Sequence, residues 1–341
     1  MILFGAGSGG SRVYDFIEKY VPDGISKILC FADNNVLKWN TKMRGIDVLK
    51  PSDAFSRYKD NLIVISCGEG DEIIKQLQDD FEISYQRTYI PDISVLKEND
   101  RSFISEHISL LSHIYDKLSD DKSRNVFRSI LQYKLNHDMS LITGVADDFR
   151  DQYFDKDLIQ FNANDVFLDC GGYIGDTIDS YIEHNKGIYQ KVITLEADND
   201  NAAIIRKNYA DENVTVREIA VWNRKEQLQF DKVGSGSGKI EDSEKSIADK
   251  IIVQADTIDD ICSGEDVSFI KMDIEGAEYN ALIGAVDTIH RCKPTLMISA
   301  YHKQDDFITL PLLILSLNPD YKLYMRQYRK LSVQETVLYA I

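Results

Sequence analysis

FLDCGGYIGDT, residues 167–177, carries an apolar run into an acid and then breaks into glycines. Glycine-rich turns between a strand and a helix hold dinucleotides, phosphates or S-adenosylmethionine, so the ligand this one suits decides how the C-terminal part is read. The dinucleotide fingerprint G-x-G-x-x-G, begun at Gly171, needs glycine at 173 and 176, where Tyr173 and Asp176 stand. It fails there.

Electrostatics point the same way. Asp169 ends the strand, Asp176 opens the helix, and Glu196 and Asp198 follow the next strand-like run, ITLEAD. These acids are expected to face the crevice, where a pyrophosphate would meet like charge. S-adenosylmethionine brings an ammonium, a sulfonium and a single carboxylate, which the amides of the turn and helix start can receive. Gly171, Gly172, Gly175, Asp176 and Thr177 are the expected cradle, with Asp169 beneath and Ala197 and Asp198 beside Glu196. Glu196 lies 21 positions after Gly175, the spacing of an acid that accepts from ribose hydroxyls.

Working outward, VFLDC, KVITLEA, VTVREIAV, SFIKMD, PTLMISA, YKLYMRQ and ETVLYAI read as about seven strands, with helices between the first five and an antiparallel hairpin made by the last two. The polar stretch DKVGSGSGKIEDSEK, residues 231–245, reads as a mobile surface loop. Residues 96–150 have helical spacing without strand runs and form an expected connector. Residues 1–95 alternate ILFGAG, KILCFAD and LIVISCG with helix-like pieces and a turn-like RGIDV, which predicts a smaller α/β domain. In that domain Gly5, Gly7 and Gly10 satisfy G-x-G-x-x-G, and Asp33 ends the second strand. A dinucleotide or nucleotide-sugar is the ligand such a turn would take.

The length of 341 residues suits two domains, placed at 1–95 and 151–341 around the connector. A formal net charge of -17 repels polyanions, which argues against nucleic acid and anionic membrane as partners. The five cysteines form no C-x-x-C pair and read as free thiols in a reducing compartment. The longest apolar run, LPLLILSL at 310–317, is too short to span a bilayer, and no charged n-region precedes an apolar one. A cytoplasmic location without membrane insertion is expected.

Transfer of a methyl group from sulfonium is an in-line displacement, in which the protein orients the acceptor and supplies a base. FIKMDIEGAEYNALIGA places Asp273, Glu275 and Gly276 at a strand end, and ISAYHK places His302 past the next one. These three side chains are expected to converge beside the donor, with His302 as base because an imidazole of pKa about 6.5 is partly neutral near pH 7. Asp273 and Glu275 either orient the acceptor or share a divalent cation; no dedicated metal cluster is evident. GSGSGKI is no phosphate loop, since Val233 and Ile240 occupy required Gly and Ser/Thr positions, and no G-x-S-x-G elbow occurs.

DQYFDKDLIQFNANDVFLDCGGYIGDTIDSYI, ITLEAD, REIAVWN, QADTIDDI, FIKMDIEGAEYNALIGA and ISAYHKQDDFITLPLLI together resemble the FkbM family of S-adenosylmethionine-dependent methyltransferases over about residues 150–341. The resemblance implies a seven-stranded class I methyltransferase fold and O-methylation of sugars or other metabolites, as in polysaccharide biosynthesis. It implies that Asp169, Gly171 and Gly175 form the first motif, Glu196 the ribose acid, Ala220 and Val221 the adenine side, and Asp273, Glu275 and Gly276 the K-x-D-x-E-G motif. Residues 1–95 are similar to the small nucleotide-binding-like domain that precedes some FkbM domains and some bacterial sugar acyltransferases. A histidine is expected in relatives where MRQYRK carries Gln327. The implied acceptor is a sugar or glycan precursor. The rivals are an NAD-dependent oxidoreductase using the N-terminal turn and a non-catalytic nucleotide-sugar-binding module.

Overall fold

A computed structural model describes residues 1–67, 70–84, 87–89, 100–136, 138, 140–210, 212–231, 239–240, 250–330 and 332–341. The chain divides into two compact units, 1–103 with 133–144 and 330–332, and 104–132 with 145–329 and 333–341.

In the first unit six strands form one sheet: β1 (Ile2–Phe4), β2 (Cys30–Ala32), β3 (Thr41–Met43), β4 (Ile46–Leu49), β5 (Ile63–Ile65) and β6 (Thr88–Tyr89), in the order β3-β4-β2-β1-β5-β6. All neighbours are parallel except β3 and β4. The three-residue strands β1, β2 and β5 are buried throughout, which is why they read as short apolar runs rather than alternating ones. RGIDV, expected as a turn, is a turn followed by a strand: Arg44 and Gly45 both have positive φ, and the chain then pairs back along β4. Helix Ser8–Tyr20 buries Val13, Tyr14 and Ile17 against one face of this sheet, and helix Gly70–Phe81 buries Ile73, Ile74 and Leu77 in the other core cluster.

The second unit carries two sheets. β7 (Val166–Cys170), β8 (Lys191–Glu196), β9 (Val214–Glu218), β14 (Phe269–Met272), β15 (Thr295–Ser299), β16 (Leu323–Gln327) and β17 (Thr336–Ala340) make a seven-stranded sheet in the order β16-β17-β15-β14-β7-β8-β9. Six strands run in one direction, and β17 alone is reversed, antiparallel to both β15 and β16. This is the class I arrangement with its terminal hairpin. The strand order reverses beside β7, so the turn after β7 opens at the switch point where α/β sheets bind ligands.

VTVREIAV, expected as one strand, is two. β9 ends at Glu218, Ile219 donates to the carbonyl of Glu196 at 3.1 Å, and the chain then crosses into a second sheet. There Ala220–Val221 (β10) pairs parallel with β13 (Lys250–Asp256), which pairs antiparallel with β11 (Glu226–Asp231), itself paired with β12 (Lys239–Ile240). In EQLQFD polar residues flank Leu228 and Phe230, and KIIVQAD holds only the short apolar run Ile251–Val253; Leu228, Val253 and Ala255 pack together while Ile252 is exposed. The expected loop at 231–245 otherwise lies outside the described residues.

An aromatic cluster fills one side of the large sheet. Phe154, Phe167, Tyr181 and Phe269 are buried there, and the rings of Phe167 and Tyr181 stand 4.5 Å apart. Burying one such ring contributes about 1.5–3 kcal/mol. Arg326 on β16, 1% exposed, ties Asp120 at 2.7 Å and Asp155 at 2.9 Å, which anchors the flanking segments to the sheet edge. Among the described residues, no helix is long and apolar enough to cross a membrane.

Candidate functional site

The turn after β7 is shaped by two glycines with positive φ. Gly171 has φ +85°, and a Cβ there would lie 2.0 Å from the carbonyl oxygen of Asp273, so the turn lies directly against the end of β14. Gly175, at φ +100°, opens helix Asp176–His184, and a Cβ would strike the ring of Tyr209 at 2.6 Å. The Tyr209 hydroxyl donates to the Gly175 carbonyl at 2.7 Å. Asp176 is exposed, and its Oδ1 accepts from the Thr177 amide at 2.9 Å.

The acids around the turn do different things. Asp169 does not front the crevice as expected: it is 0% exposed, and Lys271 stands opposite it in the β7–β14 register. Lys271 Nζ lies 3.1 Å from Asp169 Oδ1 and donates to the Gly171 carbonyl at 2.7 Å, while Thr194 donates to Asp169 Oδ2 at 3.2 Å. Burial would strip the lysine of its proton, but the Asp169 charge holds it protonated. Asp169 therefore holds the floor of the turn.

Glu196 is the acid that meets the turn. Its Oε2 accepts from the Tyr173 amide at 2.8 Å and its Oε1 from the Asp198 amide at 2.7 Å, at 7% exposure. Burial pushes its pKa up, against the two amide bonds that lower it. Asp198 caps helix Asn199–Asn208 through the amides of Asp200 and Asn201 at 2.8 and 3.2 Å. Ala197 lies between these two acids, and the Ile219–Glu196 bond brings the buried Ala220 and Val221 to the same edge.

Beyond β14 and β15 a second group of side chains gathers. His302 Nε2 lies 3.3 Å from Asp273 Oδ1 and 3.7 Å from Glu275 Oε2, and Nδ1 lies 3.0 Å from Glu278 Oε1. Tyr153 donates to Asp273 Oδ2 at 2.9 Å, and the Tyr301 hydroxyl stands 3.2 Å from the same oxygen. Gln152 donates to Glu335 at 2.6 Å, and Tyr301 also reaches that acid at 3.3 Å. Asp273, Glu275 and His302 thus converge as expected. Burial acts to lower the pKa of His302, yet the charges of Glu278, Asp273 and Glu275 raise it to about 10. These acids favour the imidazolium, the form without a lone pair to take a proton, whereas the expectation was a partly neutral ring.

Several members of this group were not singled out from sequence. Lys271 left a readable signal, a lone lysine within the apolar run SFIKM; Tyr153, Tyr301 and Glu335 come from three separate segments and left none. Gln327 is 0% exposed and donates to the carbonyls of Arg329 and Gln334 at 2.9 and 2.7 Å. It braces the β16–β17 hairpin.

In the first unit, Asp33 Oδ2 accepts from the Ala6 amide at 2.7 Å and from Lys38 Nζ at 2.9 Å, and Oδ1 accepts from the Asn35 amide at 2.8 Å. Gly10 packs against the Gly5 carbonyl, 2.1 Å from where its Cβ would be, and Gly5 has φ +113°. Gly7 is sterically open: a Cβ there would meet only Lys38 Nζ, at 3.7 Å.

Residues 169–330 match the family model of the methyltransferase FkbM domain. The crystal structure of methyltransferase FkbM from Methylobacillus flagellatus KT is similar over 100% of this chain and 89% of its own, at 22% identity and a TM-score of 0.73. Aeropyrum pernix fibrillarin in complex with natively bound S-adenosyl-L-methionine is a much looser match: 10% identity, 55% of this chain, 71% of its own and a TM-score of 0.35. No curated protein matches the sequence. The match of residues 169–330 to that family model, on the class I sheet described above, supports an S-adenosylmethionine-dependent methyltransferase.

Proposed function

We propose that the turn at 171–177 holds S-adenosylmethionine and that the enzyme methylates a hydroxyl of a sugar or glycan precursor. The observation that carries this reading is the close approach of Gly171 to the Asp273 carbonyl, which puts the glycine turn and the acid-tyrosine group on one edge. In this reading Glu196 accepts from the ribose hydroxyls through lone pairs left free by its two amide bonds. Ala220 and Val221 line the adenine side, and the Asp176 amide at the helix start receives the donor carboxylate.

The acceptor hydroxyl is oriented by Asp273 and Glu275, whose side chains are 24% and 23% exposed. As the methyl group moves from sulfur to oxygen, the sulfonium becomes a neutral thioether and the hydroxyl proton passes to one of these carboxylates. His302, whose protonated form these acids favour, contributes positive charge beside them. Incubation with labelled S-adenosylmethionine and a panel of glycans and nucleotide-sugars tests the reading. Label is expected in a base-stable ether, with turnover lowered at least tenfold in Asp273→Asn; label appearing only in amines or thiols would refute the hydroxyl acceptor.

For the N-terminal unit, the open position at Gly7 beside Lys38 favours a ligand bearing phosphate, such as a nucleotide-sugar. A thermal shift with UDP-sugars that disappears in Lys38→Ala is the expected result. No shift with any nucleotide-sugar or dinucleotide would remove that role.

A further inference from the structure

We propose that His302, Asp273 and Glu275, backed by Glu278, form a binding site for a divalent transition-metal ion. Asp273, Glu278 and His302 bring one ligand atom each within 4.8 Å of one another. Clusters of acids are common on protein surfaces, but here the side chain of His302 is only 5% exposed and that of Glu278 only 1%. Carboxylates stand 3.0 to 3.7 Å from both ring nitrogens, yet neither nitrogen has a well-aligned hydrogen bond, and neither does Glu278 Oε2. Buried polar atoms are normally hydrogen-bonded. Nitrogen and carboxylate oxygens that converge at these distances without hydrogen-bond alignment suit coordination better.

The two faces of the ring assign the parts. Nε2 faces both Asp273 at 3.3 Å and Glu275 at 3.7 Å, so it is the ligating atom, its proton passing to solvent as the ion binds. Ligand atoms that share an ion at about 2.1 Å stand roughly 3.0–3.4 Å apart, so Asp273 already stands at that distance from Nε2 and Glu275 must come closer. Glu278, 3.0 Å from Nδ1, is placed to accept a hydrogen bond from the Nδ1 proton once an ion holds Nε2, the usual arrangement behind a metal-bound histidine. One imidazole with carboxylates suits Mn2+, Fe2+ or Zn2+; Mg2+ and Ca2+ prefer oxygen throughout. An ion at this place would draw in the acceptor hydroxyl and acidify it, replacing the direct carboxylate contact. That use rests on the methyl-transfer reading; binding of the ion does not.

Calorimetric titration of chelator-treated protein with MnCl2, and separately with ZnCl2, tests the site. One saturable site per chain is expected, with affinity lowered at least tenfold in His302→Ala and in Glu275→Gln. The Mn2+ paramagnetic resonance of bound ion should change accordingly. S-adenosylhomocysteine binding by the same variants, expected within about twofold of wild type, shows that they are folded and separates failure of the ion site from failure of the donor site. Glu275→Gln, at a partly exposed position, keeps the test valid should His302→Ala not fold. Absence of saturable binding of either ion to wild type, or unchanged affinity in Glu275→Gln, would overturn the proposal.

Discussion

The glycine turns at 5–10 and 171–175 are built on one plan and differ in charge. In each, an acid at or just past the end of the second strand accepts an amide from the turn: Asp33 from Ala6, and Glu196 from Tyr173. In the first unit that acid also holds Lys38 at 2.9 Å, so it is neutralised where a ligand would sit. In the second, the lysine lies one layer down, on Asp169, and among the described residues no cation pairs with Glu196. The same backbone device is thus balanced in one place and left negative in the other. A negative rim favours a cationic ligand such as a sulfonium, whereas a lysine beside an open glycine favours phosphate.

The difference can be attacked first at the two lysines. Lys271→Met leaves Asp169 buried without its partner, and loss of one member of a buried pair costs about 3–5 kcal/mol. Chemical denaturation should show most of the stability of the second unit gone; a loss below about 1 kcal/mol would mean that the pair is incidental.

Glu196→Gln comes next. It keeps an oxygen for one amide but removes the charge, and hydrogen bonds to charged groups contribute roughly 1.5–3 kcal/mol. Calorimetry should find S-adenosylhomocysteine bound ten- to a hundredfold more weakly, and equal affinity would remove Glu196 from the ribose role.

Acid separates the two turns by sign. Burial acts to raise the pKa of Asp33, but Lys38 and the amides of Asn35 and Ala6 outweigh it, so the folded value lies below the ordinary 3.8. Its stabilisation is complete above 3.8 and lost only as pH falls through the lowered value. Glu196 moves the other way, chiefly through burial, from an ordinary 4.5. Its stabilisation is present below 4.5 and fades as pH rises through the raised value, above which the ionised, ligand-binding form predominates. Donor affinity followed by fluorescence should therefore weaken as pH drops towards the raised value, while Asp33 still supports its own unit. A flat affinity profile down to pH 4 would contradict this.

The smallest effect is expected at Lys38. Its side chain is 37% exposed, and pairs of that kind contribute about 0–1 kcal/mol. Lys38→Met should lower the melting temperature only slightly; a loss as large as that of Lys271→Met would erase the contrast between the units.

Much of this was legible in the sequence, for reasons that the fold makes plain. Strands buried on both faces, such as VFLDC and LMIS, appear as unbroken apolar runs, and the positions of Gly171, Gly175 and Glu196 follow from the strand-turn-helix spacing. The second sheet was missed because it is covered on one face only and because its partners lie on either side of a polar stretch. The orientation of Asp169 was misread because spacing places an acid at a strand end without saying which way its carboxylate turns; the lysine two residues before Asp273 decides that. The acids around His302 were only partly legible, since Glu278, five residues beyond Asp273, joins the ring only through the fold.

The central claim is that the turn above Lys271, rimmed by Glu196, receives the methyl donor. A crystal grown with equal concentrations of S-adenosylhomocysteine and NAD+ tests it directly. The account predicts density for S-adenosylhomocysteine along Gly171–Gly175, with its ribose on Glu196. Density for NAD+ on that turn, or for S-adenosylhomocysteine only on the Gly5–Gly10 turn, would contradict it.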